Sequence, residues 1–377
     1  MFTLNAGLAE LASAANPPRA ILSGQRLTQI VPFGPNILWA LTSNEVKSVG
    51  GGQGIEITTN AGRTWSNVTP PGLSVNGGDR YLSDVYALSP ARAWITYGNA
   101  GAGPRTLETT GDAGRHWTKV GVLPPTSCSL QFVSPLDGTC TVLGGAAGSM
   151  FITIYRTSNG GERWRKVFQN SSSTSSSSRG SIPFGCDKNV DFQSAAKGLT
   201  LFFCNGGSGA LIYGTSNGGV TWTARRVLPP RSVPEGGGGF TGPAQFAGSD
   251  GAIPYEVGQR SAVYVTNDDG ESFHPVYPPG KLRPWKEDIV SPTEWRLTYG
   301  KEILGTNNGG STWFEVTSNT VLQATDYLKG SPPGGIVEFT NHVDSWLFEN
   351  PYSLHSTLLH STDGGSTWRA IVVPGTK

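Results

Sequence analysis

The chain has 377 residues, of which 52 are glycine and 26 proline, and only 15% are charged. That mix favours many short strands joined by turns over long helices. A net charge of +1 offers no field to gather nucleic acid or anionic lipid, and no run of about 18 apolar residues is present to insert in a membrane.

Residues 1–19 read as an N-terminal extension, and residues 20–377 as one repeated domain. The extension is mildly apolar without a basic leading region, so as written it is not a signal peptide. Residues 5–15 have the pattern of a short helix ending before Pro17. The first repeat then combines Gln29-Ile30, a strand through "ILWALT", a strand "GIEITT" and the turn "TTNAGRTWSNV" from Thr58. The second has Asp84-Val85, "ARAWITY" and "TTGDAGRHWTKV" from Thr109. Gln131-Phe132 precedes "TSNGGERWRKV" from Thr157, and Asp191-Phe192 precedes "TSNGGVTWTAR" from Thr215. In the fifth repeat Gln245-Phe246 and "SAVYVT" lead to "TNDDGESFHPV" from Thr266. The sixth runs Asp288-Ile289, "EWRLTY", "KEILGT" and "TNNGGSTWFEV", and the seventh Glu338-Phe339, "DSWLFE" and "STDGGSTWRAI".

The aromatics that close these turns are Trp65, Trp117, Trp164, Trp222, Phe273, Trp313 and Trp368, spaced 52, 47, 58, 51, 40 and 55 residues apart. A period near 50 with strands inside each unit predicts an all-β, seven-bladed β-propeller of four-stranded antiparallel blades. The repeated turn then joins the third and fourth strands of each blade. Inside the turn, Asn60, Asp112, Asn159, Asn217, Asp268, Asn308 and Asp363 are placed to accept backbone N–H bonds. The glycine two residues on suits a positive φ, and the aromatic anchors the outer strand between blades.

These turns resemble the Asp-box (BNR) repeat, S-x-D-x-G-x-T-W, matched most fully by "STDGGSTW" at 361–368. The resemblance covers the chain from about residue 20 to its end. Proteins with such repeats include sialidases, xyloglucan hydrolases, sortilin-type receptors and photosystem II assembly factors, so the motif implies a fold rather than a function. In those families the repeats lie on the perimeter, which implies that Asp112 or Asp363 is structural. A sialidase needs an arginine triad, a tyrosine nucleophile and its glutamate. Arg26, Arg80, Arg231 and Arg283 with Tyr255, Tyr299 and Tyr327 are the available residues, but the family's Phe/Tyr-Arg-Ile-Pro signature is absent. Blade text such as "DVYALSPARAWITYG" resembles the assembly factors, which bind proteins.

With the first strand innermost, the variable connections share the face opposite the repeated turns. They carry the residues expected to bind a protein partner or glycan: Arg231, Glu235, Arg283, Trp285, Lys286, Tyr352 and His355. The serine run at 171–178 reads as a mobile loop, and "LPPRSVPEGGGGFTG" as a long connection. The seven polar residues of the innermost strands are expected to line a wet channel, with a cation ring as the alternative. The competing function is a glycoside hydrolase using Asp84, Asp288 or Glu338.

Four cysteines bracket two predicted hairpins, and disulfides 128–140 and 186–204 (Cys128, Cys140, Cys186, Cys204) close if the register permits. Their spacing is not that of a zinc site, and no cofactor or metal is expected. Sequons at Asn67 and Asn170, with the even cysteine count, point to a secreted, periplasmic or cell-surface protein, taken as a monomer.

Overall fold

A computed structural model describes residues 25–373 except 45–52, 74–80, 99–102, 125–127, 146–149, 171–179, 205–209, 231–237, 258–259, 281–285, 321, 323–335 and 350–356. The extension, its expected helix and the serine run therefore lie outside the described residues. Blade 1 is β1 (Gln25–Phe33), β2 (Ile37–Asn44), β3 (Gln53–Thr58) and β4 (Ser66–Asn67). Blade 2 is β5 (Tyr81–Ala87), β6 (Ala93–Gly98), β7 (Thr106–Thr110) and β8 (Thr118–Val122). Blade 3 is β9 (Ser129–Phe132), β10 (Gly138–Gly144), β11 (Phe151–Thr157) and β12 (Arg165–Gln169), and blade 4 is β13 (Asp187–Phe192), β14 (Gly198–Cys204), β15 (Ile212–Thr215) and β16 (Thr223–Ala224). Two short strands follow, β17 (Arg226–Val227) and β18 (Gly238–Phe240). Blade 5 is then β19 (Gln245–Ala247), β20 (Asp250–Val257), β21 (Arg260–Thr266) and β22 (Ser272–Val276). Blades 6 and 7 are β23 (Lys286–Ile289), β24 (Trp295–Tyr299), β25 (Glu302–Thr306), β26 (Phe314–Thr317), and β27 (Ile336–Phe339), β28 (Ser345–Glu349), β29 (Thr357–Ser361), β30 (Arg369–Ile371). Each blade is an antiparallel meander in which the first strand is innermost, so the predicted seven-bladed propeller is the observed fold.

The turn between third and fourth strands is the same hydrogen-bonded knot seven times. In blade 2, Thr110 Oγ1 donates to Asp112 Oδ1 at 2.9 Å and accepts the Gly114 N–H at 2.9 Å, while Asp112 Oδ1 accepts the His116 N–H at 3.0 Å. Thr306, Asn308, Gly310 and Thr312 repeat it in blade 6. Ser361, Asp363, Gly365 and Thr367 do so in blade 7. The backbone runs through two consecutive positive-φ residues, with φ of 61° at Ala113 and 80° at Gly114. A second tie holds this turn to the one between first and second strands, as in Ala113 N–H to Ala91 O at 2.9 Å. Both short turns thus share one face of the ring, and the strand ends that lead into the longer connections share the other.

The turns also lock blade to blade. A Cβ at Gly114 would lie 2.6 Å from Val68 of blade 1, and one at Gly310 would lie 2.6 Å from Val276 of blade 5, so glycine lets each turn lean on the preceding blade. Trp117 donates its indole N–H to Val68 O at 2.7 Å. Trp39, Trp94, Trp295 and Trp346 of the second strands are fully buried in the junctions. Each such ring removes on the order of 200 Å² from water. Among the described residues, blade 7 meets blade 1 without an exchanged strand. Leu38, Ala40 and Trp65 pack there against Trp346, Leu358 and Ile371.

Two expectations need correction. The glycine stretch read as loop contains β18, which pairs with both β14 and β20 and fuses blades 4 and 5 into one sheet. Glycine is obligatory there, because a Cβ at Gly239 would lie 2.4 Å from the Phe203 backbone. On the perimeter β17 adds to β22 in parallel, and Arg225 pairs with Glu271 at 2.7 Å, so the same two blades are tied twice. The Asn170 sequon is not a glycan acceptor: the side chain is 3% exposed, Oδ1 accepts the Ile152 N–H, and Nδ2 donates to Ile182 O and Pro183 O. The Cys128–Cys140 disulfide forms, with Cα atoms 5.4 Å apart. Cys186 is also disulfide-bonded, whereas the Cys204 side chain lies outside the described residues.

Candidate functional site

The innermost strands carry the polar residues singled out in the sequence, and four of them reach across to the next blade. Gln29 Nε2 donates to Val85 O at 3.3 Å. Gln131 brackets Phe192, donating to its carbonyl at 3.1 Å and accepting its N–H at 2.9 Å, and also donates to Asp191 Oδ1 at 2.7 Å. Asp191 Oδ2 in turn accepts the Ala244 N–H at 3.0 Å, and Asp288 Oδ2 accepts the Phe339 N–H at 2.5 Å. Gln29, Gln131, Asp191 and Asp288, four of the seven residues expected to line a channel, thus tie neighbouring blades, each with a partner displaced by one residue in the neighbouring blade. Burial raises the Asp191 carboxyl, against the opposing pull of these donors. Among the described residues, no three His, Cys, Asp or Glu side chains converge on a metal position.

Of the hydrolase candidates, Asp288 is held by the Phe339 backbone, Glu338 is half-buried in β27, and the Asp84 side chain lies outside those described. Among the tyrosines considered as nucleophiles, Tyr255 is fully buried between Phe240 and Tyr264, at 4.9 and 5.0 Å between ring centres. Burial pushes its phenol up to about 12, with Tyr277 adding, which suppresses the phenolate a nucleophile needs. Tyr299 is exposed on blade 6, and Tyr327 is outside the described residues. The turn carboxylates Asp112, Asp268 and Asp363 are saturated by hydrogen bonds, and those bonds hold Asp268 at about 2. Each carboxylate is engaged within its own turn.

On the loop-bearing face, the described chemistry concentrates where blade 5 meets blade 6. Ser261 and Thr241 both donate to Glu287, which is packed near Glu256. Burial pushes the Glu287 carboxyl up to about 7 and Glu256 adds to this, while the Ser261 bond opposes it. No sequence signal had singled Glu287 out, because only strand alternation beside Asp288 places it against blade 5. Arg231 and Glu235 belong to segment 231–237, which runs into β18 and Thr241. Arg283 and Trp285 belong to segment 281–285, which runs into Lys286 and Glu287 of β23. These four residues lie outside the described part, as do Tyr352 and His355, and the Lys286 side chain does too. The Thr241–Glu287 bond nevertheless brings the described ends of the two segments together. Tyr352 and His355 belong instead to the 350–356 connection of blade 7.

No family model matches the chain, and no curated protein matches it. Solved structures do resemble it. Prolyl oligopeptidase B from Galerina marginata is 8% identical with a TM-score of 0.56 over 94% of this chain, which spans 52% of that one. An ulvan lyase of polysaccharide lyase family 25 is 9% identical with a TM-score of 0.52, covering 94% of this chain and 98% of that one. YCF48 bound to a D1 peptide is 16% identical with a TM-score of 0.49, at 93% and 95% coverage. The chain thus spans about half the length of the oligopeptidase and nearly all of the lyase. At these identities the likeness is one of fold, and the fold alone selects no activity.

Proposed function

We propose that this chain is an Asp-box propeller acting as a binding platform, whose loop-bearing face takes a protein or glycan partner at the corner of blades 4 to 6. The observation that carries this is the belt of ties: Gln29, Gln131, Asp191 and Asp288 hold neighbouring blades together. Side chains engaged in that way are poorly placed to do chemistry on a ligand. The residues proposed to meet a partner are Arg231, Glu235, Arg283, Trp285 and Lys286, in the sequence segments that lead into this corner, with Tyr352 and His355 in the segment between β28 and β29. Aromatic rings there stack on sugars or apolar side chains, and the charged groups set orientation. The Cys128–Cys140 disulfide supports an oxidising compartment for the protein.

The experiment is affinity capture with wild type and an Arg283→Glu/Trp285→Ala variant, alongside a sugar-release assay on a polysaccharide and sialoside panel. Capture lost in a folded variant, with no release from any sugar, is the expected result. Glu287 sustains the second reading, because a carboxyl near 7 suits acid catalysis in a hydrolase. Sugar release abolished by Glu287→Gln or Glu338→Gln would replace the platform by that enzyme.

A further inference from the structure

Each blade is contiguous in sequence, so the chain itself crosses every junction but one. Between blade 7 and blade 1 no strand is exchanged among the described residues, and side chains such as Leu38 and Trp346 meet across the junction. Two ionisable groups are buried on the facing surfaces. Glu56 pairs with Ala40 in the β2–β3 register, so strand alternation turns it with Ala40 toward blade 7. It is 1% exposed, and its hydrogen-bond partner is Asn67 Nδ2, 2.6 Å from Oε1. From blade 7, His360 lies one pleat along from Leu358, stacked on Trp346 at 4.1 Å. Its Nε2 has no hydrogen-bond partner and stands 3.8 Å from Asp344 Oδ1, and Arg369 sits opposite it in the β29–β30 register. Among the described residues no cation pairs with Glu56.

We propose that this junction is a proton-controlled seam, shut while Glu56 and His360 are neutral and opened between blades 7 and 1 when Glu56 loses its proton. An ionised carboxylate inside an apolar junction is strongly disfavoured, and separating the two blades rehydrates it. The other junctions keep their covalent crossovers, and blades 4 and 5 are further held by β17 and β18. Opening is therefore directed to the seam. Burial pushes the Glu56 carboxyl up to about 8, with the Asn67 bond opposing. His360 is lowered by burial, against Asp344. The closed ring binds the Glu56 proton more tightly than the open one, so closure is strongest below the ordinary glutamate value of 4.5 and weakens until pH passes about 8. The His360 contribution runs the other way: it is complete above 6.5 and is lost toward acid.

Hydrogen exchange read strand by strand against pH tests this, with β6 and β7 of blade 2 as the internal reference. In β3 and β29 the open population is expected to rise about tenfold per pH unit between 6.5 and 8 and then level off. Glu56→Gln should flatten that rise. An oxidised Gly62→Cys/Ile371→Cys pair should suppress it, since a Cβ on Gly62 lies 3.5 Å from that of Ile371, inside the disulfide range. Seam strands that follow the same pH profile as β6 and β7, or a Glu56→Gln protein that keeps the rise, would overturn the proposal.

Discussion

Trp346 donates its indole N–H to the carbonyl of Gly34, 312 residues earlier and 3.2 Å away, where the last blade meets the first. Trp346→Phe keeps most of the buried ring and removes that bond. The loss is expected to be about 1 kcal/mol, read as a lower melting temperature, with a larger share of it appearing as faster unfolding. An unchanged midpoint would show that the bond adds nothing to closure.

The hydroxyl of Thr110 serves both Asp112 and the Gly114 N–H. Thr110→Val, nearly the same shape, leaves the buried N–H of Gly114 without a partner. A cost of about 1–3 kcal/mol is expected, against little for Thr110→Ser. Chemical denaturation of both proteins decides it, and equal midpoints would remove the hydroxyl from the account.

Ala61 and Gly62 are both left-handed, at φ 58° and 77°. Ala61→Gly relieves a conformation that costs an L residue about 1–2 kcal/mol, and should raise stability by a part of that. Gly62→Ala is the opposite case, because its new Cβ meets Ile371 Cγ2 at 2.2 Å as well as the φ penalty. Thermal melts should place the two variants on opposite sides of wild type.

Gln131 links blade 3 to blade 4 through both the N–H and the carbonyl of Phe192. Gln131→Leu removes both bonds and strands buried donors and acceptors on the neighbour. About 2 kcal/mol of destabilisation is expected, with hydrogen exchange accelerated at Phe192 before the outer strands. Acceleration spread evenly over blade 4 would mean that the belt is not a local tie.

Glu287 has a folded value of about 7 against an ordinary 4.5. The folded state holds this proton more tightly, so the contribution is complete below 4.5 and disappears as pH climbs through 7. The span is worth about 3 kcal/mol at most. Glu287→Gln should therefore gain stability over wild type at pH 8 and not at pH 4, in urea titrations at the two values. A constant difference between them would show that Glu287 does not titrate in this range.

How legible each feature was depends on the distance over which it acts. Asn60, Gly62 and Trp65 act within one turn, so their spacing alone announced the knot and the blade count. Thr58 was equally visible, a hydroxyl residue standing two before Asn or Asp in all seven copies, yet its part in the knot went unread. Gln131 and Asp288 stood out as polar residues, but their partners Phe192 and Phe339 lie 61 and 51 residues away on another blade. No local pattern names such a partner. The strand at Gly238–Phe240 was hidden for a different reason. Its glycines answer to the backbone of Phe203, and a glycine run in sequence looks the same whether it is loose or tightly packed. The loop residues Arg283 and Trp285 rest on the sequence alone.

The seam between blades 7 and 1 bears on how the chain could be rearranged. Leu27 and Val373 belong to one packed cluster, so a short linker could join the start of blade 1 to the end of blade 7. New ends could then be cut at the crossover between any two blades, and the permuted chain would still write seven whole blades. The crossover from blade 4 to blade 5 is the exception. Cutting there would detach β17 or β18 from one of its partners, so that pair of blades must travel as a unit.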